Sequence, residues 1–308
     1  MAAPPQANMT ARIILNPYSG RYTGRRRWPV AQAALDAAGF VYELSCTERP
    51  GHARELARAA ALAGCSPIIA AGGDGTVGEV VNGLADAAGQ AAPLGPIGIL
   101  PVGTANDIVD TLGIPRDLAA AAKVLAHGNT RLMDLGEVNG RLFVNNSAIG
   151  LEPFVTLIQQ RIGRIQGPPR YLLAALRGIA ARPRWNMHLE WDGGSYDGPV
   201  TLVAIGNGPR SGGLFYMAPH ADPFDGRLTF VYGFRASRLQ LLGLLPRTLR
   251  PAAGSYVEMR GISEVHATWL RIQIDSPAPA HADGEVFAPE IQALEYRIWP
   301  ARLQVLVP

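Results

Sequence analysis

Cysteine is nearly missing from this 308-residue chain: Cys46 and Cys65 are the only two. Two thiols so far apart give neither a disulfide framework nor a short-spaced set of metal ligands. Lysine is scarcer still. Lys123 stands alone, so almost all positive charge is arginine. The net charge of +3 is too mild for nucleic-acid binding, and no basic–aromatic module accompanies it. It suits an anionic substrate or an anionic membrane surface. Charged residues make up only 17% and hydrophobic ones 48%, which excludes a disordered chain and supplies a sizeable core. No apolar run reaches the roughly 18 residues of a spanning helix. Residues 1–10 are rich in Ala, Pro and Gln without an apolar centre, so a frayed terminus is expected rather than a signal peptide, and with it a cytoplasmic protein. There is no internal repeat.

Short apolar runs alternate with helical patterns through the first third of the chain. Strands are expected at 11–15, 41–45 and 68–71 and ending at Pro101, with helices over 28–38 and 53–63. Turns rich in Gly, Asn, Ser or Pro follow the strands, as in an open parallel sheet that binds its ligand at the carboxyl ends of its strands. From about Arg131 the pattern changes to β-branched and alternating segments, near 131–138, 142–146, 186–191, 199–206, 227–232, 254–260 and 270–275, which suggest a second, antiparallel β domain. Two helical patches interrupt it. The one at 171–181 carries Leu172, Leu173, Leu176 and Ile179 with Arg170, Arg177, Arg182 and Arg184 at its edges. The other, at 237–249, carries Leu239, Leu241, Leu242, Leu244, Leu245 and Leu249 with Arg238, Arg247 and Arg250. Leucine faces edged by arginine serve either as core helices or as a surface resting on an anionic bilayer.

The most informative stretch runs from Ile68 to Leu84. Between its strand and its helix lie Gly72, Gly73, Asp74 and Gly75. Glycine removes every Cβ that would hold a ligand off the backbone, and the amides opening the next helix favour an anion such as phosphate. Asp74 would repel a bare phosphate unless it holds a cation or a proton; the alternative is a simple helix cap. Arg21 and Arg25, just past Asn16-Pro17-Tyr18-Ser19-Gly20, are candidates for phosphate oxygens. Arg26 and Arg27 read as a solvated helix start, and His52 as a turn or cap residue.

Several segments, taken in order, resemble the diacylglycerol kinase catalytic family, the bacterial lipid kinases related to sphingosine and ceramide kinases. They are Asn16 to Gly20, Thr47 with Gly51-His52-Ala53, Gly72 to Leu84, Pro101-Val102-Gly103-Thr104-Ala105-Asn106-Asp107 with Leu112-Gly113-Ile114-Pro115, Asp134-Leu135-Gly136, Asp222-Pro223-Phe224-Asp225-Gly226 and Asp283-Gly284-Glu285. The Gly-Gly-Asp-Gly core alone is shared with NAD kinases and phosphofructokinases; the ordered set is specific.

The resemblance implies an ATP-binding α/β domain at 1–130, to which 296–308 returns, and a β-sandwich lipid-substrate domain at 131–295, with the active site in the cleft. It implies ATP held by Asn16, Pro17, Tyr18, Ser19, Gly20, Thr47, Gly73, Asp74, Gly75, Thr76, Val77, Gly78, Glu79 and Thr104. Glu285 would be the base that takes the lipid hydroxyl proton, with Asp74 beside the phosphates and a catalytic Mg²⁺. A second, structural Mg²⁺ would sit on Asp222, Asp225 and the Arg227 carbonyl. Arg21, Arg25, Asn106, Asp107 and Asp134 would form a charge network. The partners implied are ATP, a lipid and the inner membrane face; a homodimer is compatible with it. Two positions depart from the family: Gly78, usually asparagine, and Asp110, usually arginine. Rival readings are an NAD or sphingoid-base kinase and a non-catalytic nucleotide-binding membrane module.

Overall fold

The computed structural model describes residues 10–89, 93–163, 168–181, 183–235, 237–251 and 253–308. The chain divides into two units, residues 1–133 with 301–308 and residues 134–300.

The first unit alternates β1 (Ala11–Leu15), α1 (Ser19–Ala37), β2 (Tyr42–Cys46), α2 (His52–Leu62), β3 (Ile68–Gly72), α3 (Asp74–Ala88), β4 (Leu94–Pro101), α4 (Asp107–Thr111) and α5 (Leu118–His127). Its strands are parallel in the order β2-β1-β3-β4. β3 is buried along its whole length, as a central parallel strand covered on both faces must be. Ile13, Ile69 and Leu100 of the sheet pack with Leu35 of α1 and Leu118 and Leu125 of α5, each worth about 1.5–3 kcal/mol when removed from water. The alanines of α2 let it lie flush on α3: Ala53, Ala57 and Ala60 are buried. At Gly83 a Cβ would stand 2.2 Å from the Arg54 carbonyl oxygen.

The helix expected from residue 28 starts nine residues earlier, at Ser19, and runs through Pro29. Pro29 therefore lies inside the helix. Arg21, Arg25, Arg26 and Arg27 all lie on α1, and the side chain of Arg21 is outside the described set.

The second unit opens within β5 (Thr130–Val138). It continues through β6 (Arg141–Phe143), β7 (Asn146–Gly150), α6 (Leu151–Arg161), α7 (Pro168–Ala181), β8 (Trp185–Trp191), β9 (Gly194–Val200), β10 (Leu202–Gly206), β11 (Arg210–Ser211), β12 (Phe215–Tyr216), β13 (Leu228–Gly233), α8 (Arg238–Thr248), β14 (Ile262–Ala267), β15 (Trp269–Ala282) and β16 (Glu285–Leu306). β14, β13, β10, β7 and β15 are neighbours and all antiparallel. β15 pairs β8 through Leu270 to Ile274 and β7 through Ala280 to Ala282, with register shifts between. Changing partners at a bulge is how one strand serves both layers of a sandwich. Phe143, Met187, Leu189, Phe230, Ile272 and Tyr296 fill the space between the layers. The end of β16, residues 303–305, pairs β4 in the first unit's parallel sheet.

Ser237 caps α8 in a capping box with Gln240. Two expectations change here. Residues 254–260 hold a single 3₁₀ turn, Tyr256–Glu258, and no strand; Glu258 accepts from the Gly254 amide and the buried Tyr256 hydroxyl donates to the Met217 carbonyl, so side chains fold the segment back. α6 has no counterpart in the sequence reading, because its apolar residues follow a buried strand without a polar break. Arg182 lies outside the described residues.

Candidate active site

Three turns of the first unit, those after β1, β3 and β4, are drawn together. Asn16 Nδ2 donates to Thr76 Oγ1 at 3.1 Å, and Asn16 Oδ1 accepts from the Tyr18 amide at 3.0 Å. The Gly103 amide donates to the Gly72 carbonyl at 2.9 Å. A Cβ on Gly103 would lie 2.5 Å from Gly73 Cα, and one on Gly20 would lie 2.5 Å from Thr104 Oγ1. Gly20 also has φ +58°, a left-handed conformation that glycine adopts readily. No larger residue fits either position, so the glycines are what let three backbone segments share one place. Ser19 Oγ, the exposed Thr104 and Tyr18 border it. Pro17 accepts from the Arg25 amide, and Thr47, buried, donates its amide to Leu15. Arg25 itself is exposed.

Asp74 stands at this meeting point. It is not the cap of α3, which is Gly73, but the first helical residue. Its Oδ1 accepts from the Ile108 amide at 3.1 Å. Burial raises its pKa above the ordinary carboxyl value, outweighing the backbone amides of Ile108, Asp107, Asp74 and Asn106 that pull it down. Asn106, buried with φ 51°, and the buried Asp107 form the turn that supplies those amides. A half-buried carboxylate whose ionised form its surroundings disfavour suits a small hard cation, so the residues fit a Mg²⁺ ion here.

Glu79 has a different place. Its two oxygens accept from the amides of Gly51 and Ala53 at 2.9 and 3.0 Å, which open α2. A carboxylate reaching over from α3 thus caps the neighbouring helix. Glu79→Ala is expected to lower stability by about 1–2 kcal/mol, the range for a lost cap, as read by denaturant unfolding. A loss of ATP affinity with unchanged stability would instead make Glu79 a ligand residue. Thr76 and Val77 are buried in the same helix, and the Gly78 carbonyl accepts from Asn82 Nδ2.

The charge at Asp110 is answered within the unit. Arg116 Nε donates to Asp110 Oδ1 at 2.7 Å and Nη2 to Oδ2 at 2.9 Å, while Nη2 also reaches the Ala105 carbonyl at 2.6 Å. Asp107 and Asp74 add to the field that raises the Arg116 pKa, behind the Asp110 pair itself. Arg27 is not solvated as expected: its guanidinium donates to the carbonyls of Pro101 and Arg116. Arg116 was not singled out from the sequence and Arg27 was read as solvated, since nothing local shows which carbonyls an arginine will meet. His52 Nδ1 accepts from the Glu48 amide, a turn role.

In the second unit Glu285 follows a tight turn in which Asp283 and Gly284 both have positive φ. The turn is anchored by Asp283, whose carboxylate accepts from the amides of Val144, Asn145 and Asn146. Arg141 Nη2 donates to Glu285 Oε2 at 2.9 Å. The carboxylate is therefore held while remaining partly open to solvent. The contacts of Arg141 with Glu285 and of Asp283 with the 144–146 amides were not legible in the sequence.

Asp134 is buried. Its Oδ2 accepts from the Gly226 amide, and its own amide donates to the Pro223 carbonyl. This fixes the Asp222–Arg227 loop, in which Asp222 accepts from Phe224 and Asp225 from the Arg227 amide. Burial raises the Asp225 pKa, and the charges of Asp222 and Asp134 push it further, against the Arg227 amide and His266. Among the described residues no three acidic, His or Cys side chains gather as a metal set. The two aspartates would hold a cation only with backbone carbonyls or water, an oxygen set of the kind Mg²⁺ and Ca²⁺ accept.

Comparison with known proteins follows the same division. Residues 10–138 match the diacylglycerol kinase catalytic domain, and residues 146–307 match the YegS C-terminal NAD kinase beta sandwich-like domain. The diacylglycerol kinase of Bacillus subtilis is 30% identical over 277 residues, 89% of each chain, and that of Staphylococcus carnosus 28% over 89% of this chain and 88% of its own. A solved structure described as a diacylglycerol kinase from Bacillus anthracis shares the fold with a TM-score of 0.73 at 22% identity, covering 97% of both chains. Yeast NADH kinase gives 0.51 at 11% identity over 98% of this chain and 84% of its own.

Proposed function

This chain belongs to the diacylglycerol kinase catalytic family, and from that premise we propose that it is an ATP- and Mg²⁺-dependent lipid kinase, acting on diacylglycerol to give phosphatidic acid. The observation that carries the nucleotide half is the packing of three glycine turns against one another in the first unit, with Asp74 at their centre. Phosphoryl transfer asks for positioning and charge neutralisation more than for covalent chemistry. The amides of Gly73 to Val77 and of the Asn16–Gly20 turn would grip the phosphates, and Thr47 and Thr104 would border the nucleotide. Bound through Asp74, Mg²⁺ would neutralise charge on the phosphates. Glu285 would take the proton of the lipid hydroxyl as the oxygen–phosphorus bond forms and the bridging bond to ADP breaks. Arg141 orients that carboxylate. Asp222 and Asp225 would hold a second ion that stiffens their loop.

No helix of the described residues is long and apolar enough to cross a membrane. In the proposed reading the protein works from the cytoplasmic side as a peripheral enzyme. Leu172 and Leu176 of α7, Leu239 and Leu242 of α8 and Leu249 just after it are exposed, with Arg177, Arg238, Arg247 and Arg250 on or beside the same helices. Such a surface suits an anionic bilayer.

The test is labelled ATP with vesicles carrying diacylglycerol, beside NAD and a sphingoid base as acceptors, resolved by thin-layer chromatography. Labelled phosphatidic acid is expected, formed faster on vesicles containing phosphatidylglycerol than on zwitterionic ones. Label in NADP or in the sphingoid product alone would replace the substrate. Nucleotide binding with no acceptor labelled would favour a non-catalytic module.

A further inference from the structure

Asp74 does not hold itself in place. Its carboxylate accepts from the Ile108 amide, and the amides of Asp107 and Asn106 also bear on it. All three belong to one stretch, where the turn after β4 enters α4. That stretch has little of its own to fix it. α4 has five residues and no side-chain cap, too few for a helix to persist without outside support. Asn106 precedes it with φ 51°, a left-handed conformation that a residue with a Cβ keeps only when its surroundings hold it there.

Two guanidinium groups supply that hold. Arg116 Nε and Nη2 donate to the two oxygens of Asp110, inside α4, while Nη2 also donates to the Ala105 carbonyl just before it. One planar group thus ties down both sides of Asn106 and Asp107. Arg27, on α1, donates to the carbonyls of Pro101 and of Arg116 itself. Residues 101–110 are therefore pinned at their start, middle and end, and the amides that meet Asp74 lie between the pins.

We propose that Arg116 is a positioning residue for Asp74: it fixes residues 105–110 in the shape that presents their amides to the Asp74 carboxylate, and so sets how that carboxylate faces a cation. The Arg116–Asp110 pair is partly exposed, and such pairs contribute little to global stability. Its weight lies in local geometry. Groups that orient a metal-binding carboxylate change metal affinity by about 10–100-fold. Lysine carries the same charge on a compact ammonium without the planar fork, so brace and charge can be separated by substitution.

The inference rests on the reading of Asp74 as a cation ligand, so one arm of its test needs no metal. In hydrogen–deuterium exchange of the ligand-free full chain, Arg116→Ala and Arg116→Lys are each expected to speed exchange across residues 105–110 by about tenfold or more. β3 should stay protected as in the parent, and Tm should fall by no more than about 2–4 °C. The second arm follows binding of Mn²⁺–ATP by the EPR signal of protein-bound Mn²⁺. Both variants should bind it about 10–100-fold more weakly, in the direction of Asp74→Asn. Unchanged exchange at 105–110 in Arg116→Ala overturns the proposal, whatever the metal arm gives. So does an Arg116→Lys variant that matches the parent in both arms, since charge would then be the whole effect. So does parental Mn²⁺–ATP affinity in Arg116→Ala where Asp74→Asn weakens it. If Asp74→Asn itself leaves that affinity unchanged, the cation reading of Asp74 fails, and the proposal falls with it. Should Arg116→Ala not fold, Arg116→Lys carries both arms.

Discussion

Replacing Glu285 with glutamine is expected to lower kcat by about 10²–10⁴-fold, the range general-base assistance supplies, with little change in ATP affinity. Glutamine keeps the shape and can still accept from Arg141, whose guanidinium lies 2.9 Å from the carboxylate. What it loses is the capacity to take a proton. The turn should survive, because it is anchored by Asp283 and not by Glu285. The measurement is single-turnover phosphoryl transfer beside equilibrium binding of ATP. A variant that turns over at near the parental rate would remove Glu285 from the proposed role. Loss of nucleotide binding together with turnover would point to a structural role instead.

The second large effect is at Asp74, where activity and stability should move in opposite directions. Asp74→Asn is expected to reduce turnover by at least about a hundredfold, as when a principal electrostatic group of a transition state is removed. It should also abolish the extra thermal stabilisation that Mg²⁺ adds to bound ATP. Without ligand the variant should be more stable than the parent, because the carboxylate is desolvated and its pKa is raised. Its unfolded pKa is about 3.9. Well below that, both states hold the proton and the group contributes nothing. As pH rises through the window between the unfolded and the raised folded value, the unfolded state gives up its proton first. The folded protein then loses stability relative to it, and the full penalty applies above the folded pKa. The Tm advantage of Asp74→Asn should therefore be near zero at about pH 3 and grow toward neutrality. An advantage independent of pH would mean that the carboxylate is not the cause.

The glycine turn at residues 72–75 was readable because its chemistry is local. A buried strand, a run of residues without Cβ and a helix start lie next to one another, and no distant residue is needed to interpret them. The same holds for the Asp283-Gly284 turn before Glu285. The helix α1 starts nine residues before the expected place because residues 19–27 are polar or glycine apart from Tyr22 and give no apolar periodicity, whereas the helix begins where Asn16 and Pro17 accept from the amides of Ser19 and Arg25. Glu79 gave no sign of its position over α2, since its partners Gly51 and Ala53 lie 28 and 26 residues away. Arg27 and Arg116 bind carbonyls that periodicity does not identify. The expected strand at 254–260 failed for a similar reason: the Tyr256 hydroxyl is directed by Met217, 39 residues earlier.

From its sequence alone this protein reads as an α/β unit followed by a β unit, with glycine turns proposed to take phosphate, an aspartate proposed to hold a cation and a glutamate placed next to a glycine turn. These follow from backbone freedom and residue spacing, which act between neighbours. The tertiary structure decided what the charges do. It made Glu79 a cap, paired Asp110 with Arg116 and withdrew the half-buried Asp74 from much of its water. Desolvation and hydrogen bonding depend on which surfaces the fold brings together, and no stretch of sequence carries that information by itself.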